Sequence, residues 1–294
     1  MEKFLQQLIN GISLGSIYAL IALGYTMVYG IINLINFAHG DIYMLGAYIG
    51  FAVTSILHLS FIPALLISML SCAIIGIIIE KVAYKPIRNS TRIAALITAI
   101  SVSLFLEYGT MYFVSAETRT FPEVLKGKQI GLLNNKVLLN TKDVYIVIIT
   151  VLLMLLLQYI IYKTKVGKAM RAVSHDREAA QLMGINVDNT ISYTFAIGSA
   201  LAGAAGVLVG VYYNSIDPLM GMLPGLKAFV AAVIGGIGVI PGAMFGGIFL
   251  GFTETMVSAY GNSLYKDAVA FAILILVLIV KPNGLLGKNV KEKV

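Results

Sequence analysis

Charged residues, cysteine and tryptophan are scarce in this sequence. Only 12% of its 294 residues are charged and 59% are hydrophobic, whereas about 25% of the residues of a typical soluble domain are charged. The composition therefore excludes an ordinary soluble domain. The single cysteine, Cys72, excludes an intrachain disulfide and a CxxC metal pair, and its position in an apolar run predicts that it packs in the interior.

Enzyme motifs are missing as well. The sequence contains no HExxH, no GxSxG and no carboxylates at metal-ligand spacing, and its three histidines, His39, His58 and His175, are far apart along the chain. Each Gly-Lys pair lacks the following Ser or Thr and the upstream glycine of a phosphate-binding loop. We therefore predict no catalytic residue, no metal and no cofactor in this chain. Any ATP that drives it must be hydrolysed by other subunits.

Long apolar runs, in contrast, are abundant. The runs at 8–32, 93–114, 144–161 and 191–213 approach or exceed the roughly 20 residues that cross a hydrocarbon core about 30 Å thick. We predict an all-α, polytopic helical membrane protein with about eight to ten membrane segments, some of them broken. Residues 1–294 are expected to form a single transmembrane domain.

Glycine and proline interrupt the apolar pattern between residues 225 and 260. Gly235-Gly236-Ile237-Gly238 and Pro241-Gly242 are expected to break a helix. The stretch therefore forms two short spans or a re-entrant pair, followed by a last span near 267–280. Pairs of small residues four apart recur and predict close packing of helix backbones. They are Gly11/Gly15, Gly46/Gly50, Gly206/Gly210, Gly242/Gly246 and Gly247/Gly251.

Basic residues are concentrated in two short segments, 81–92 and 163–177, as the positive-inside rule expects of cytoplasmic loops. The net charge of +7 therefore does not require nucleic acid as a partner. Segment 115–143, where acidic residues dilute the basic ones, is predicted to face outside, and the basic tail to face the cytoplasm. The side of the N-terminus stays open, because two, three or four spans before Arg92 are all compatible with the sequence.

Polar side chains at membrane depth are candidate contacts along a substrate path. The candidates are Asn33, Asn36, His39, Asp41, Glu107 and Glu254. For His39 and Asp41, capping a helix end is an equally good interpretation. Glu107 and Glu254 can instead hydrogen-bond to neighbouring helices. The segment 214–218, with Asp217, is either a gate or a turn.

A polar segment at 163–190 stands out between two apolar spans. Residues 166–184 are predicted to form a short amphipathic helix that ends at Gly184, a residue typical of helix C-termini. Such a helix can insert into a groove of a soluble partner. The alternative is a solvated loop that lies on the lipid headgroups.

Motifs along almost the whole chain resemble LivH-type permease subunits of branched-chain amino acid ABC importers. The matching motifs are LGSIYALIALGYTMVYG at 14–30, INFAHGD at 35–41, EKVAYKPIR at 80–88, the polar segment 163–190, KAF at 227–229, GGIGVIPGA at 235–243 and KPNGLLG at 281–287. The resemblance implies a multi-pass protein of a bacterial or archaeal inner membrane. It implies uptake of leucine, isoleucine or valine by alternating access.

The resemblance also implies partners. These are a second, LivM-like permease, two cytoplasmic ATPase subunits that bind ATP with magnesium, and an extracytoplasmic amino-acid-binding protein. The family's ATPase coupling loop maps onto Gly167, Arg171, Glu178, Ala179, Ala180 and Gly184.

Three alternatives remain open from the sequence. Similar permeases carry urea, short amides or other amino acids. An ion-coupled secondary transporter or channel would use Asp41, Glu107 and Glu254 to relay protons or bind sodium. A membrane scaffold would not transport at all.

Overall fold

The computed structural model describes residues 2–32, 36–88, 90–125, 127–132 and 136–287. The candidate Asn33 and the predicted basic tail beyond residue 287 lie outside these residues. The helices of the described part are α1 (Glu2–Ile32), α2 (His39–Ser55), α3 (Phe61–Ile79), α4 (Arg92–Phe113), α5 (Thr141–Lys163), α6 (Lys165–His175), α7 (Arg177–Leu182), α8 (Val187–Tyr213), α9 (Met222–Gly235), α10 (Ile240–Tyr260) and α11 (Lys266–Val280). A π-helical turn, Glu80–Tyr84, extends α3, and a 3₁₀ turn, Ser263–Tyr265, precedes α11.

Short strands form two antiparallel pairs among the described residues. Strand β1 (Arg119–Thr120) pairs with β4 (Ser215–Ile216), and β2 (Gln129–Leu132) pairs with β3 (Val137–Asn140). All four strands lie at one end of the helical bundle. The predicted all-α membrane fold is confirmed, with this small amount of sheet confined to the connections between helices.

The two ends of the bundle differ in charge. At one end, called the basic end below, Arg88 and Lys85 pair with Asp188 at 2.6 and 2.7 Å. This contact joins the segment after α3 to the start of α8, beside α6 and α7. The strands lie at the opposite end. There, Lys136 pairs with Glu2 at 2.7 Å, so the N-terminus is located at the end opposite to the basic segments.

Seven helices are long and apolar enough to cross a membrane. The shorter α2 and α9 also lie inside the bundle, so nine helices of the described part lie at membrane depth. Three of them precede Arg92, which agrees with an N-terminus opposite the basic end. The predicted break after α9 is confirmed, because Gly236 and Gly238 adopt φ values of 104° and 87°, which only glycine adopts readily. Pro241 lies in the first turn of α10.

Helices α1 and α8 form the centre of the bundle and are almost completely buried, whereas α11 is largely exposed. The small-residue pairs pack as predicted. A side-chain carbon at Gly251 would overlap the backbone of Gly15, and one at Gly46 would overlap the backbone of Gly203. These contacts let α1 approach α10, and α2 approach α8, at backbone distance. Cys72 is buried and unpaired, as expected of a packing residue.

Candidate functional site

Helix α2 begins deep inside the bundle rather than at its surface. Helix α1 ends at Ile32, yet His39, the first residue of α2, packs against Gly24 and Tyr25. Gly24 lies eight residues, or about 12 Å at 1.5 Å per residue, before the end of α1. The chain therefore returns into the bundle between Ile32 and His39. This is one of the interruptions expected of a protein in which some membrane segments are broken.

Helix α9 also begins inside the bundle, from the other direction. Asn214 ends α8 with a left-handed φ of 52°, and the Asp217 carboxylate accepts a hydrogen bond from the Leu219 backbone at 3.0 Å. The segment 214–218 thus contains a bend at Asn214, strand β4 and the start of the turn that leads into α9. Gly221 and Gly225 then lie against Gly40, with no room for a side-chain carbon on Gly40. The first turns of α2 and α9 meet at this point.

Four of the predicted candidates surround the start of α2. We call Asn36, His39, Asp41 and Glu107 the central polar group. Asn36, His39 and Asp41 are at most 3% exposed and Glu107 is 6% exposed. Ala38, the residue before α2, makes no side-chain hydrogen bond that caps the helix. The central polar group is held by contacts with other helices.

Two members of the central polar group contain buried atoms without a partner. The Tyr84 hydroxyl donates to Asn36 Oδ1 at 2.6 Å, and the ring centroid of Tyr25 lies 4.8 Å from that of His39. The Ile21 carbonyl contacts the imidazole. Among the described residues, His39 Nε2 and Asn36 Nδ2 have no hydrogen-bond partner. Buried polar atoms are normally satisfied, so such exceptions mark strain or function.

The other two members face each other. The carboxyl groups of Asp41 and Glu107 interact side chain to side chain, and Ser103 is also close to Asp41. Glu107 is therefore a neighbour of Asp41, which connects α4 to α2. Two carboxylates in one buried site cannot both be ionised without a large cost.

Glu254 belongs to a separate site. Its carboxylate accepts hydrogen bonds from Tyr18 at 2.9 Å and from Lys227 at 2.8 Å, and Lys227 also pairs with Asp267 at 2.6 Å. With Lys266, 3.7 Å from Glu254, these residues form what we call the Lys227 cluster. It joins α1, α9, α10 and α11 toward the end opposite the basic end. In the structure, Glu254 therefore hydrogen-bonds to neighbouring helices, which is the second of the two interpretations that the sequence allowed.

Lys227 was not among the predicted site residues. It is 4% exposed inside a short apolar helix, and a charged residue at membrane depth is a functional candidate by default. The same rule that selected Glu254 from the sequence applies to Lys227. In the sequence, Lys227 lies within the motif 227–229 that carries part of the family resemblance.

The polar segment 163–190 folds as two short helices rather than one. Thr164 caps α6 by accepting from the Gly167 backbone at 3.1 Å, and Asp176 caps α7 by accepting from the Ala179 backbone at 2.9 Å. An Asp in this position starts a new helix because its carboxylate binds the free N–H groups of the first turn. Gly184 lies just after the end of α7 with a φ of 81°, and its predicted position at a helix C-terminus is confirmed.

The predicted coupling residues fall into two groups. Gly167 packs tightly on the Ile161 carbonyl, and Arg171 donates to the same carbonyl, so both attach α6 to α5. Ala180 is buried. Glu178 and Ala179 are exposed, and next to them Leu182 and Met183 are 88% and 82% exposed. This second group forms an uncovered apolar and acidic surface.

A polar cavity of about 550 Å³ lies beside α7 at the basic end. Arg177, Arg88 and Asp188 are among its lining residues. Burial and the nearby Arg88 lower the pKa of Arg177. Arg88 is engaged by Glu80 at 2.6 Å as well as by Asp188, so the cavity is lined mainly by charges that are already paired.

Comparisons with known proteins agree over almost the full length. The family model described as branched-chain amino acid transport system, permease component, matches residues 7–278. The high-affinity branched-chain amino acid transport system permease protein LivH of Salmonella typhimurium is 46% identical, over 99% of this chain and 98% of that protein. The corresponding permease protein BraD of Pseudomonas aeruginosa is 44% identical over the same shares, 99% and 98%.

A solved structure has the same overall fold. PsaBC from Streptococcus pneumoniae in complex with Fab is 16% identical, with a TM-score of 0.50, and the match covers 95% of this chain and 92% of that one. At this identity the similarity concerns the fold alone.

Proposed function

The chain belongs to the family of permease components of branched-chain amino acid transport systems, and we propose that it is the membrane subunit of an ATP-driven importer. In this role it moves leucine, isoleucine and valine into the cytoplasm by alternating access. The observation that carries the proposal is the full-length similarity to the LivH and BraD permeases. That similarity includes the helices that surround the central polar group and the two helices of the polar segment.

The basic end faces the cytoplasm in this proposal, as the positive-inside rule requires. The N-terminus then faces the outside, because Glu2 pairs with Lys136 at the opposite end. The partners are a second, LivM-like permease, two cytoplasmic ATPases that bind ATP with magnesium, and an extracytoplasmic binding protein that delivers the amino acid at the opposite end.

The ATPase docks on the exposed side of α7. Leu182 and Met183 are apolar and almost fully exposed, although they lie on a polar segment outside the membrane-spanning helices. Glu178 and Ala179 continue the same surface. An apolar patch with a charged rim on a short helix is suited to a groove of a soluble partner.

The amino acid passes near the start of α2. Discontinuous helices in transporters expose unpaired backbone groups at membrane depth, and their N-termini are suited to the carboxylate of a substrate. Helices α2 and α9 begin in contact at Gly40 and Gly221, so this point is closed in the structure. Separation of the two helices opens the path to Asn36, His39 and Asp41.

Reconstitution tests this function directly. The chain is placed in liposomes with the second permease and both ATPases, and leucine uptake and ATP hydrolysis are measured with empty and leucine-loaded binding protein. We expect uptake that requires ATP and hydrolysis that rises with the loaded protein. The matched variants are Glu178→Lys on the docking surface and Lys81→Glu, which changes an exposed residue of the basic end that lies outside α7.

Each outcome separates two functions. Loss of uptake with Glu178→Lys and normal uptake with Lys81→Glu support docking on α7. Uptake in liposomes without any ATPase would instead identify a secondary transporter. ATP-dependent uptake of urea or amides, but not of leucine, would keep the importer and replace its substrate.

A further inference from the structure

Arg177 connects α7 to the end of α1. Its Nη2 donates hydrogen bonds to the carbonyls of Ile31 and Ile32, at 3.0 and 2.8 Å. The last carbonyls of a helix have no partner within the helix, and a cation at this end also interacts favourably with the helix dipole. Arg177 thus satisfies two carbonyls of a helix that lies more than 140 residues away in sequence.

The link leaves the other side of α7 free. Arg177 is half-buried and Ala180 is buried against the bundle, whereas Glu178, Leu182 and Met183 are exposed. One side of this six-residue helix therefore binds the membrane helices while the other side faces the solvent. A partner that binds the exposed side moves Arg177 together with the helix.

The end of α1 is close in sequence to the central polar group. Ile32 and Asn36 are four residues apart, so they cannot separate by more than about 14 Å. Asn36 is held by Tyr84, and His39 and Asp41 follow in the first turn of α2. The chain therefore keeps the end of α1 within this distance of these residues.

Arg171 provides an instructive contrast. It also donates to the carbonyl of a helix end, Ile161 of α5. However, α5 and α6 are consecutive in the chain, so this bond only stabilises a local connection. Arg177 instead joins α7 to a helix that is distant in sequence and central in the bundle.

We propose that Arg177 is the positioning residue that transmits movement of the ATPase-bound α7 to the end of α1, and from there to Asn36, His39 and Asp41. The inference rests on the proposed function, in which α7 docks an ATPase. In this proposal one guanidinium nitrogen of Arg177, which donates to the two carbonyls at the end of α1, couples ATP hydrolysis to opening of the path.

The test uses the complete reconstituted complex with Arg177→Ala, Arg177→Lys and, as a control, Lys81→Ala. Lys81 is an exposed cation at the same end of the bundle but lies outside α7. Three quantities are measured: ATPase that copurifies with the permease, ATP hydrolysis, and leucine taken up per ATP hydrolysed. The third quantity reports coupling and is independent of how much complex assembles.

We expect Arg177→Ala to keep its ATPase and to hydrolyse ATP, but to take up roughly tenfold less leucine per ATP, since a hydrogen bond from a charged donor is worth about this factor. Arg177→Lys should recover part of the coupling because an ammonium group still donates to the carbonyls. Lys81→Ala should match the unaltered protein.

Unchanged uptake per ATP in Arg177→Ala would overturn the proposal, even if less complex assembles, because a purely structural residue lowers yield and not coupling. If the alanine variant does not assemble, the Arg177→Lys variant decides the question. Its ammonium group is a single donor group in a different position, so an uptake per ATP equal to that of the unaltered protein would overturn the proposal. An intermediate uptake per ATP would support it. Absence of ATP-dependent uptake in the unaltered complex would refute the proposed function instead.

Discussion

Two of the buried polar regions among the described residues, the Lys227 cluster and the central polar group, differ in how their charged groups are paired. In the Lys227 cluster, Lys227 contacts Glu254 and Asp267 at 2.8 and 2.6 Å, and the Tyr18 hydroxyl donates a further hydrogen bond to Glu254. In the central polar group, two carboxyl groups face each other and His39 Nε2 and Asn36 Nδ2 have no partner among the described residues. Opposite charges balance in the first region, whereas the second is left with unused hydrogen-bonding capacity.

This difference separates stability from function. A paired charge inside a membrane protein fixes the helices that carry it, because separating the partners exposes each charge to an apolar environment. An unpaired polar atom costs stability and is retained where something else binds to it or where it must change partners. We therefore expect the Lys227 cluster to hold α9, α10 and α11 together, and the central polar group to act in transport.

The largest effect on stability is expected from Lys227→Met. The substitution leaves Glu254 buried with its main cation removed, which costs about 3–5 kcal/mol. Thermal unfolding in detergent should show a strongly lowered midpoint or little folded protein. The double variant Lys227→Met with Glu254→Gln is the matched control and should recover part of the loss. Equal instability of the single and double variants would mean that packing of the lysine side chain, and not its charge, holds α9.

The next largest effect is expected from Gly24→Ala. A side-chain carbon at Gly24 would overlap the His39 imidazole and approach the Gly198 carbonyl, so the central polar group must shift, at a cost of about 1–3 kcal/mol. Leucine uptake should fall along with the unfolding midpoint. Gly109→Ala is the control, because nothing lies within 4 Å of the added carbon. It should be neutral or stabilising by up to about 1 kcal/mol.

The substitution His39→Gln is expected to change leucine uptake much more than the free energy of unfolding. Among the described residues Nε2 of His39 has no hydrogen-bond partner, although the Ile21 carbonyl contacts the ring. Since glutamine keeps a polar group of similar size, the free energy of unfolding should fall by only about 1 kcal/mol. Uptake should nevertheless fall by roughly tenfold, the value of one hydrogen bond to a moving or binding group. A variant with a normal transport rate and a much lower unfolding midpoint would place His39 with the structural residues, beside Lys227.

The sequence predicted many of the helices and several of the buried polar residues, but not which polar residues pair with each other. Long apolar runs predicted α1, α4, α5 and α8, and the glycines near 236 predicted the break between α9 and α10. Glu254 and His39 were selected by one rule, that polar groups at membrane depth are costly. What distinguishes them is the partner, and Lys227 lies 27 residues from Glu254 in sequence on a different helix, so the pairing depends on tertiary packing.

The position of the N-terminus illustrates the same limit. Glu2 and Lys3 cancel as a charge signal, and the glycines of the first third allow different numbers of spans. The contact of Glu2 with Lys136 resolves the question because it ties α1 to the connection that carries the strands. Likewise, the polar side chains of Asn36, His39 and Asp41 were selected as candidates from the sequence, but the meeting of Gly40 with Gly221 depends on a helix start almost two hundred residues further along the chain.

The smallest effect on stability is expected from Asp41→Asn. Asp41 faces the Glu107 carboxyl group, and since the two buried carboxyl groups cannot both be ionised, one of them carries a proton that it donates to the other. An amide keeps a donor at this position, so the free energy of unfolding should change by less than about 1 kcal/mol. Glu107→Gln is the matched control and should behave in the same way, since either change leaves one carboxyl group facing one amide. If the pair acts in transport, both variants will show reduced leucine uptake in liposomes at a nearly unchanged unfolding midpoint. A lowered midpoint in both would mean that the carboxyl pair, like the Lys227 cluster, is a structural contact between helices.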